Sequence, residues 1–301
     1  MLQYYRREWY SEVAAFARRL PDFSYVDAIL TARVGEYYPG HRYIWRAGGR
    51  IVATCTLAHL NSDDAWLHGM RVDPGYKNQG VATALTRQLL RVAARAGRTW
   101  VGLSTRHHSG TAPVFRIAEK LGMRLEGTYA CDWYGKLSRR FPQPRLHRVD
   151  GTYDHYRLLG EQGIFICDQG WYWARLLPGR RSCIDRFGFR LNGTQVHLVR
   201  HCHRAQGRQR YVSRTVNLYD WPADFGSFLA GLFSYAGGPR RGFVICYPSA
   251  WRGDLRRAAR AVVPSLSPGR TCSLWVLRVY GRHLRASDGI AQIMNRKGSV
   301  R

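Results

Sequence analysis

The sequence predicts an α/β protein made of two similarly ordered halves. Three observations lead there. Hairpin-like strands alternate with amphipathic helices along the chain. The same order recurs with equal spacing, 52 residues separating Gly48 from Trp100 and again Asn192 from Val244. And in the first half a strand passes through a glycine-bearing loop straight into a helix.

The first half can be justified element by element. Trp9, Val13, Phe16 and Leu20 share one helical face, and Val26, Ile29, Leu30 and Val34 share another. "HRYIWRA" and "RIVATCTLAHL" form a hairpin about Gly48-Gly49, a pair suited to the positive φ of tight turns. "DAWLHGMRVDP" is a strand stopped by Pro74. The helix that follows carries Val81, Leu85, Leu89 and Val92 at helical spacing. "TWVGLS" is a further strand. The next helix starts near Pro113, buries Val114, Ile117, Ala118 and Leu121, and stops at Gly122. "RLEGTYACDW" and "TYDHYRL" supply two final strands, so that residues 1–160 form one domain.

Composition bounds the function. A chain of 301 residues with 45% hydrophobic content supports packed cores rather than disorder. No apolar h-region opens the sequence, and no run approaches the roughly 18 apolar residues of a membrane span. Seven cysteines without a C-x-x-C pair read as reduced thiols of a cytoplasmic protein. The net charge of +27, nearly all from arginine, implies attraction to anions: a phosphorylated cofactor, an acidic substrate or nucleic acid.

The stretch "VDPGYKNQGVATALTRQLL" is a physical anion site. The first N–H groups of a helix lack intrahelical partners, and its aligned dipoles place about half a positive charge there. Gly80 lets a phosphate approach the backbone, small Ala82 keeps the next turn clear, and Lys77 adds a mobile charge. Lys77, Asn78, Gln79, Gly80, Val81 and Ala82 resemble the R/Q-x-x-G-x-G/A acetyl-coenzyme A loop of the GNAT superfamily of N-acetyltransferases. "TAPVFRIAEKLGM" resembles the second motif of that family.

The resemblance implies a mixed, mostly antiparallel sheet flanked by helices, with acetyl-coenzyme A as co-substrate. It places the diphosphate on residues 77–82 and the pantetheine arm along the strand at Met70, Arg71 and Val72. It also implies direct attack of a primary amine on the thioester. An ammonium of pKa near 10 must first lose its proton, which at pH 7 costs roughly 4 kcal/mol. His68, whose unperturbed pKa near 6.5 suits proton transfer, is the expected base, with Asp63, Asp64, Glu36 and His107 as further candidates. Glu36, Tyr37 and Tyr38 fall in the loop that lines the acceptor site in the family. Where the family commonly carries a tyrosine as general acid this sequence has Ala118, a departure that removes the usual proton source for the thiolate.

The second half, residues 161–301, follows the same order without the loop. "RFGFRLNGTQVHLVR" is a hairpin about Asn192-Gly193, followed by the strand "YVSRTVNLY", a helix bearing Phe225, Phe228, Leu229 and Leu232, the strand "GFVICY", another helix, and "SLWVLRVY". Opposite the glycine loop stand Trp221, Pro222, Ala223, Asp224, Phe225 and Gly226; proline lacks an N–H and aspartate repels phosphate. A degenerate half of the same fold, walling the acceptor cleft, is the expectation, and a small-molecule amine or amino acid the expected substrate. The alternative is a nucleic-acid-associated acetyltransferase or a basic RNA/DNA-binding protein. No metal is expected: in "VHLVRHCHR", strand alternation turns Cys202 away from His201 and His203, and no second ligand pair accompanies them.

Overall fold

The computed structural model describes residues 1–21, 40–106, 112–134, 146–148, 165–168, 172–175, 186–191, 194–205, 208–218, 224, 226–228, 231, 243–262 and 272–285. The expected helix over residues 26–34, the turn at Asn192-Gly193, the strand "TYDHYRL" and the division near residue 160 lie outside the described residues. The chain forms two compact units. One comprises Met1–Leu103, Ala112–Arg124 and Tyr280–Arg301; the other comprises Ser104–Thr111 and Leu125–Val279.

In the first unit β1 (Leu2–Tyr4), β2 (Gly40–Ala47), β3 (Arg50–His59) and β4 (Asp64–Val72) join antiparallel, and β5 (Trp100–Arg106) runs parallel to β4. The sheet is therefore mixed and mostly antiparallel, as expected. Gly48 and Gly49 close the β2–β3 hairpin at φ +52° and +74°, angles that L side chains avoid. Beyond β5 comes the end of the strand Cys272–His283, and just after it the Leu284 N–H donates to the Thr99 carbonyl at 2.8 Å.

Both faces of this sheet are covered for the reason the periodicity gives. α1 (Tyr10–Arg18) lays Val13, Phe16 and Ala17 on Ile44 and Ile51. On the other face α2 (Val81–Arg95) and α3 (Ala112–Lys120) bring Leu85, Leu89, Leu90, Ala93 and Ala118 onto Ala53, Cys55, Leu57, Leu67 and Val101. Trp66 and Trp100, both fully buried, stack with ring centroids 6.0 Å apart. A Cβ at Gly102 would come within 2.1 Å of the Trp100 ring, which explains a glycine in the middle of "TWVGLS".

The second unit contains β6 (Arg124–Tyr134), β7 (Leu146–Arg148), β10 (Arg186–Leu191), β11 (Thr194–Ala205), β12 (Arg208–Leu218) and β13 (Phe243–Pro248). A separate two-stranded sheet pairs β8 (Phe165–Asp168) with β9 (Tyr172–Arg175). The main order is β7-β10-β11-β12-β13-β6, antiparallel except for the parallel step from β12 to β13. The same succession, three antiparallel steps and then a parallel one, runs from β1 to β5 in the first unit. α4 (Arg252–Val262) follows β13, and β14 (Cys272–His283) is the strand whose end enters the first unit. β6, read from the sequence as a closing strand of the first half, pairs antiparallel with β13, setting Cys131 opposite Cys246.

Candidate active site

The site is assembled on β4. Its parallel ladder with β5 covers Asp64 to Leu67 and ends at the pair Leu67–Leu103. One residue later β4 bulges. Thr56 pairs with His68 but Thr54 pairs with Arg71, so an extra residue is accommodated at Gly69–Met70, with Gly69 at φ +65°. The bulge resets the alternation. His68 and Arg71 stand in register with Thr56 and Thr54, while Met70 and Val72 pack against the α2 core. The Thr86 hydroxyl lies 3.8 Å from the Met70 sulfur. Arg71 folds back, its guanidinium donating to the Met70 carbonyl at 2.8 Å.

Past Val72 the chain makes a short 3-10 turn (Pro74–Tyr76) and enters α2 through two left-handed residues, Asn78 at φ +61° and Gly80 at φ +77°. Lys77, Asn78, Gln79 and Gly80 are all exposed. No side chain caps α2. Its first helical bond runs from the Ala84 N–H to the Gly80 carbonyl, leaving the amides of Val81, Ala82 and Thr83 without intrahelical partners. A Cβ built on Gly80 meets nothing within 4 Å, so open space lies in front of the loop and glycine is required by its φ rather than by crowding. The Gln79 side chain is engaged within the loop, donating to the Gly75 carbonyl at 2.8 Å. Amides, dipole and lysine together fit a diphosphate.

Electrostatics separate His68 from its expected value. A row of residues crosses the sheet in register: Tyr5, Arg42, Thr56 and His68. Arg42 is only 4% exposed, its guanidinium carbon 5.6 Å from the centre of the Tyr5 ring. His68 keeps some exposed surface, yet its surroundings are dense. Burial, then the Arg42 charge, push its pKa down to about 4 rather than leaving it near 6.5. The imidazole is neutral at pH 7, and direct transfer to it from an ammonium of pKa near 10 is uphill by roughly 8 kcal/mol. Beneath it Cys55 is buried, its thiol directed to the His68 carbonyl at 3.5 Å, and burial raises the thiol pKa to about 12.

The other expected residues are scattered. Asp63 lies in the β3–β4 turn and Asp64 opens β4, and the Asn61 side-chain oxygen accepts both their N–H groups at 2.7 Å. Ala118, on α3, is fully buried, so its methyl fills core. Glu36, Tyr37, Tyr38 and His107 lie outside the described residues. Among the described residues no group of three or more His, Cys, Asp or Glu side chains is placed to hold a metal. In the second unit Asp224 accepts the Ser227 N–H at 3.1 Å, and the Phe228 N–H donates to the Asp224 carbonyl. A carboxylate of the chain itself thus caps that helix start, and the hydrogen bonds from Ser227 hold its pKa below the usual range. Sequence reasoning missed Arg42, whose position in the row is set by strand register, and Asp73, whose signal was the aspartate before Pro74.

Comparison with known proteins decides the family. The model of the acetyltransferase (GNAT) family matches residues 3–122. An uncharacterized N-acetyltransferase of Mycobacterium bovis is 33% identical over 111 residues, a match covering 35% of this chain and 69% of the relative. The chain belongs to the GNAT family. The counterpart in Mycobacterium tuberculosis H37Rv matches to the same extent. Solved structures that this GNAT protein resembles include the ribosomal-protein-S18-alanine N-acetyltransferase of Escherichia coli. That resemblance has 20% identity and TM-score 0.37, over 48% of this chain and 84% of that one. A GCN5-related N-acetyltransferase of Anabaena variabilis aligns with 96% of this chain and 74% of its own, at 10% identity and TM-score 0.43. As a GNAT acetyltransferase the protein is an acetyl-coenzyme A-dependent acyltransferase, and the matched segment contains β4, the loop and α2.

Proposed function

We propose that the protein transfers the acetyl group of acetyl-coenzyme A to the primary amine of a small molecule, most simply an amino acid or related amine. The observation that carries this reading is the exposed, left-handed entry to α2 at Gly80, set at the end of a strand whose ladder with β5 has already stopped. Backbone amides around Gln79–Ala82 hold the diphosphate, with Lys77 beside them. The edge of β4 at Met70, Arg71 and Val72 receives the pantetheine arm, and bound acetyl-coenzyme A supplies an activated acyl carbonyl.

His68 serves as a neutral hydrogen-bond acceptor that orients the incoming nitrogen. Its pKa of about 4 makes it a weak base, so the acceptor's excess proton goes to solvent. The buried Arg42 assists: a fixed cation in the same row disfavours an ammonium and lowers the pKa of the bound amine. Glu36, Tyr37 and Tyr38 contribute to the acceptor pocket. The second half, residues 161–301, acts as a degenerate partner of the first, a reading supported by its matching strand succession and by the carboxylate cap at Asp224.

An amine panel tests this reading. Purified protein is incubated with acetyl-coenzyme A and amino acids, polyamines, aromatic amines and lysine peptides, with free-thiol release and product masses as readouts. Acetylation of a small amine is the expected result; acetylation of peptides alone would overturn the substrate class.

A further inference from the structure

We propose that Arg19 and Asp73 form a positioning pair that sets the loop between β4 and α2 in its diphosphate-binding shape. The inference rests on the acetyl-coenzyme A reading above. Neither residue is required by the transfer chemistry, and they are 54 residues apart in sequence. In the fold the Arg19 Nε donates to the Asp73 Oδ2 at 2.6 Å. The same guanidinium donates to the Ile51 carbonyl at 3.0 Å and the Ala15 carbonyl at 3.1 Å. Arg19 is thereby fixed by three elements at once: the helix it terminates, the β3 backbone and the loop base.

Asp73 transmits that anchorage. Only 8% exposed, it donates its own N–H to the Val52 carbonyl at 2.8 Å, and its Oδ1 accepts the Gly75 N–H at 3.0 Å. The Tyr76 N–H returns to the Asp73 carbonyl at 2.9 Å, closing the 3-10 turn. The Gly75 carbonyl in turn accepts the Gln79 side chain, immediately before Gly80. A continuous run of hydrogen bonds thus leads from α1 through Asp73, Gly75 and Gln79 to the left-handed residue that opens the anion site.

Charge supports the same assignment. A lone carboxylate at the base of the loop would oppose a diphosphate; Arg19 neutralises it. Burial alone would raise the Asp73 pKa, but the Arg19 and Gly75 hydrogen bonds, with the positive charges of Arg19 and Arg50, hold it below the ordinary value. The tie therefore persists through neutral pH and is lost only as pH falls through that depressed pKa.

The test compares the full-length protein with Asp73→Asn, Arg19→Gln and the double variant. Calorimetry reads acetyl-coenzyme A affinity, steady-state kinetics separates KM from kcat, and amide exchange follows residues 75–81. Each single variant is expected to weaken acetyl-coenzyme A binding about tenfold, with KM rising in parallel and kcat within about twofold. The double variant should lose less than the sum of the two single losses, and no more than Arg19→Gln alone, because both substitutions remove one tie and only Arg19→Gln leaves the carboxylate uncompensated. Arg19→Lys, which keeps the charge and loses the fork, guards against misfolding and should fall between wild type and Arg19→Gln. Unchanged affinity in Asp73→Asn, additive losses, or a fall in kcat instead of a rise in KM would overturn the pair while leaving the cofactor reading intact. A wild-type protein that binds no acetyl-coenzyme A would overturn both.

Discussion

Replacing Gly80 by glutamate concentrates the cofactor reading in one position. The residue sits at φ +77°, where an L side chain costs about 1–2 kcal/mol of folding stability. Its Cβ would enter open space, so the new side chain fits and points where a phosphate must lie. A negative charge about 5 Å from a diphosphate carrying about two charges costs roughly 2 kcal/mol in a water-like dielectric. Displacing the anion from the free amides of Val81, Ala82 and Thr83 forfeits a further 1–3 kcal/mol, at about 0.3–1 kcal/mol per interaction. The sum, roughly 3–5 kcal/mol, weakens acetyl-coenzyme A binding by about a hundred- to several-thousandfold. Isothermal calorimetry measures it directly. Gly80→Ala is the control, because it shares the backbone strain and adds neither charge nor bulk; it should lower the melting temperature while losing far less affinity. If Gly80→Glu bound acetyl-coenzyme A as wild type does, the diphosphate would not lie at this helix end.

Two further outcomes follow from the packing around β4. The His68 pKa is about 4 in the folded protein against about 6.5 unfolded, so the unfolded chain binds the proton more readily. Folding stability should therefore fall, by up to roughly 3 kcal/mol, as pH drops from 6.5 towards 4. His68→Gln should flatten that part of the stability curve in urea titrations; an unaltered curve would show that the ring is not held neutral by its site. Gly102→Ala forces a methyl to within 2.1 Å of the Trp100 ring and should destabilise the protein by about 1–3 kcal/mol or more, and an unchanged melting temperature would refute the close approach of that strand to the Trp66–Trp100 stack.

Much of the first unit was legible because its signals are local. The Gly48-Gly49 turn, the Pro74 stop and the helical spacing of Leu85 and Leu89 all act within a few residues, and each appears where it was read. The exposed, left-handed helix entry at Gly80 was legible for the same reason: a glycine at a helix start changes the geometry of its own neighbours. The position of His68 on β4 was legible but its charge state was not. The shift towards 4 comes from burial and from Arg42, which is brought alongside through Thr56 by two strand pairings. The bulge at Gly69–Met70, which places His68 and Arg71 in register with Thr56 and Thr54, is likewise a property of pairing; the sequence shows only a glycine in a strand.

By itself, then, the sequence determined the family, the hairpin, strand and helix order from β2 to α3, and the glycine that opens α2, because these depend on backbone preferences and side chains a few positions apart. Only the tertiary structure decided which strand lies beside which, so that β6 pairs with β13 and β14 follows β5. It also decided the charge state of His68 and the clasp of Arg19 on Asp73 across 54 residues. Those properties arise from desolvation and from contacts between distant segments, which exist only once the chain has closed around them.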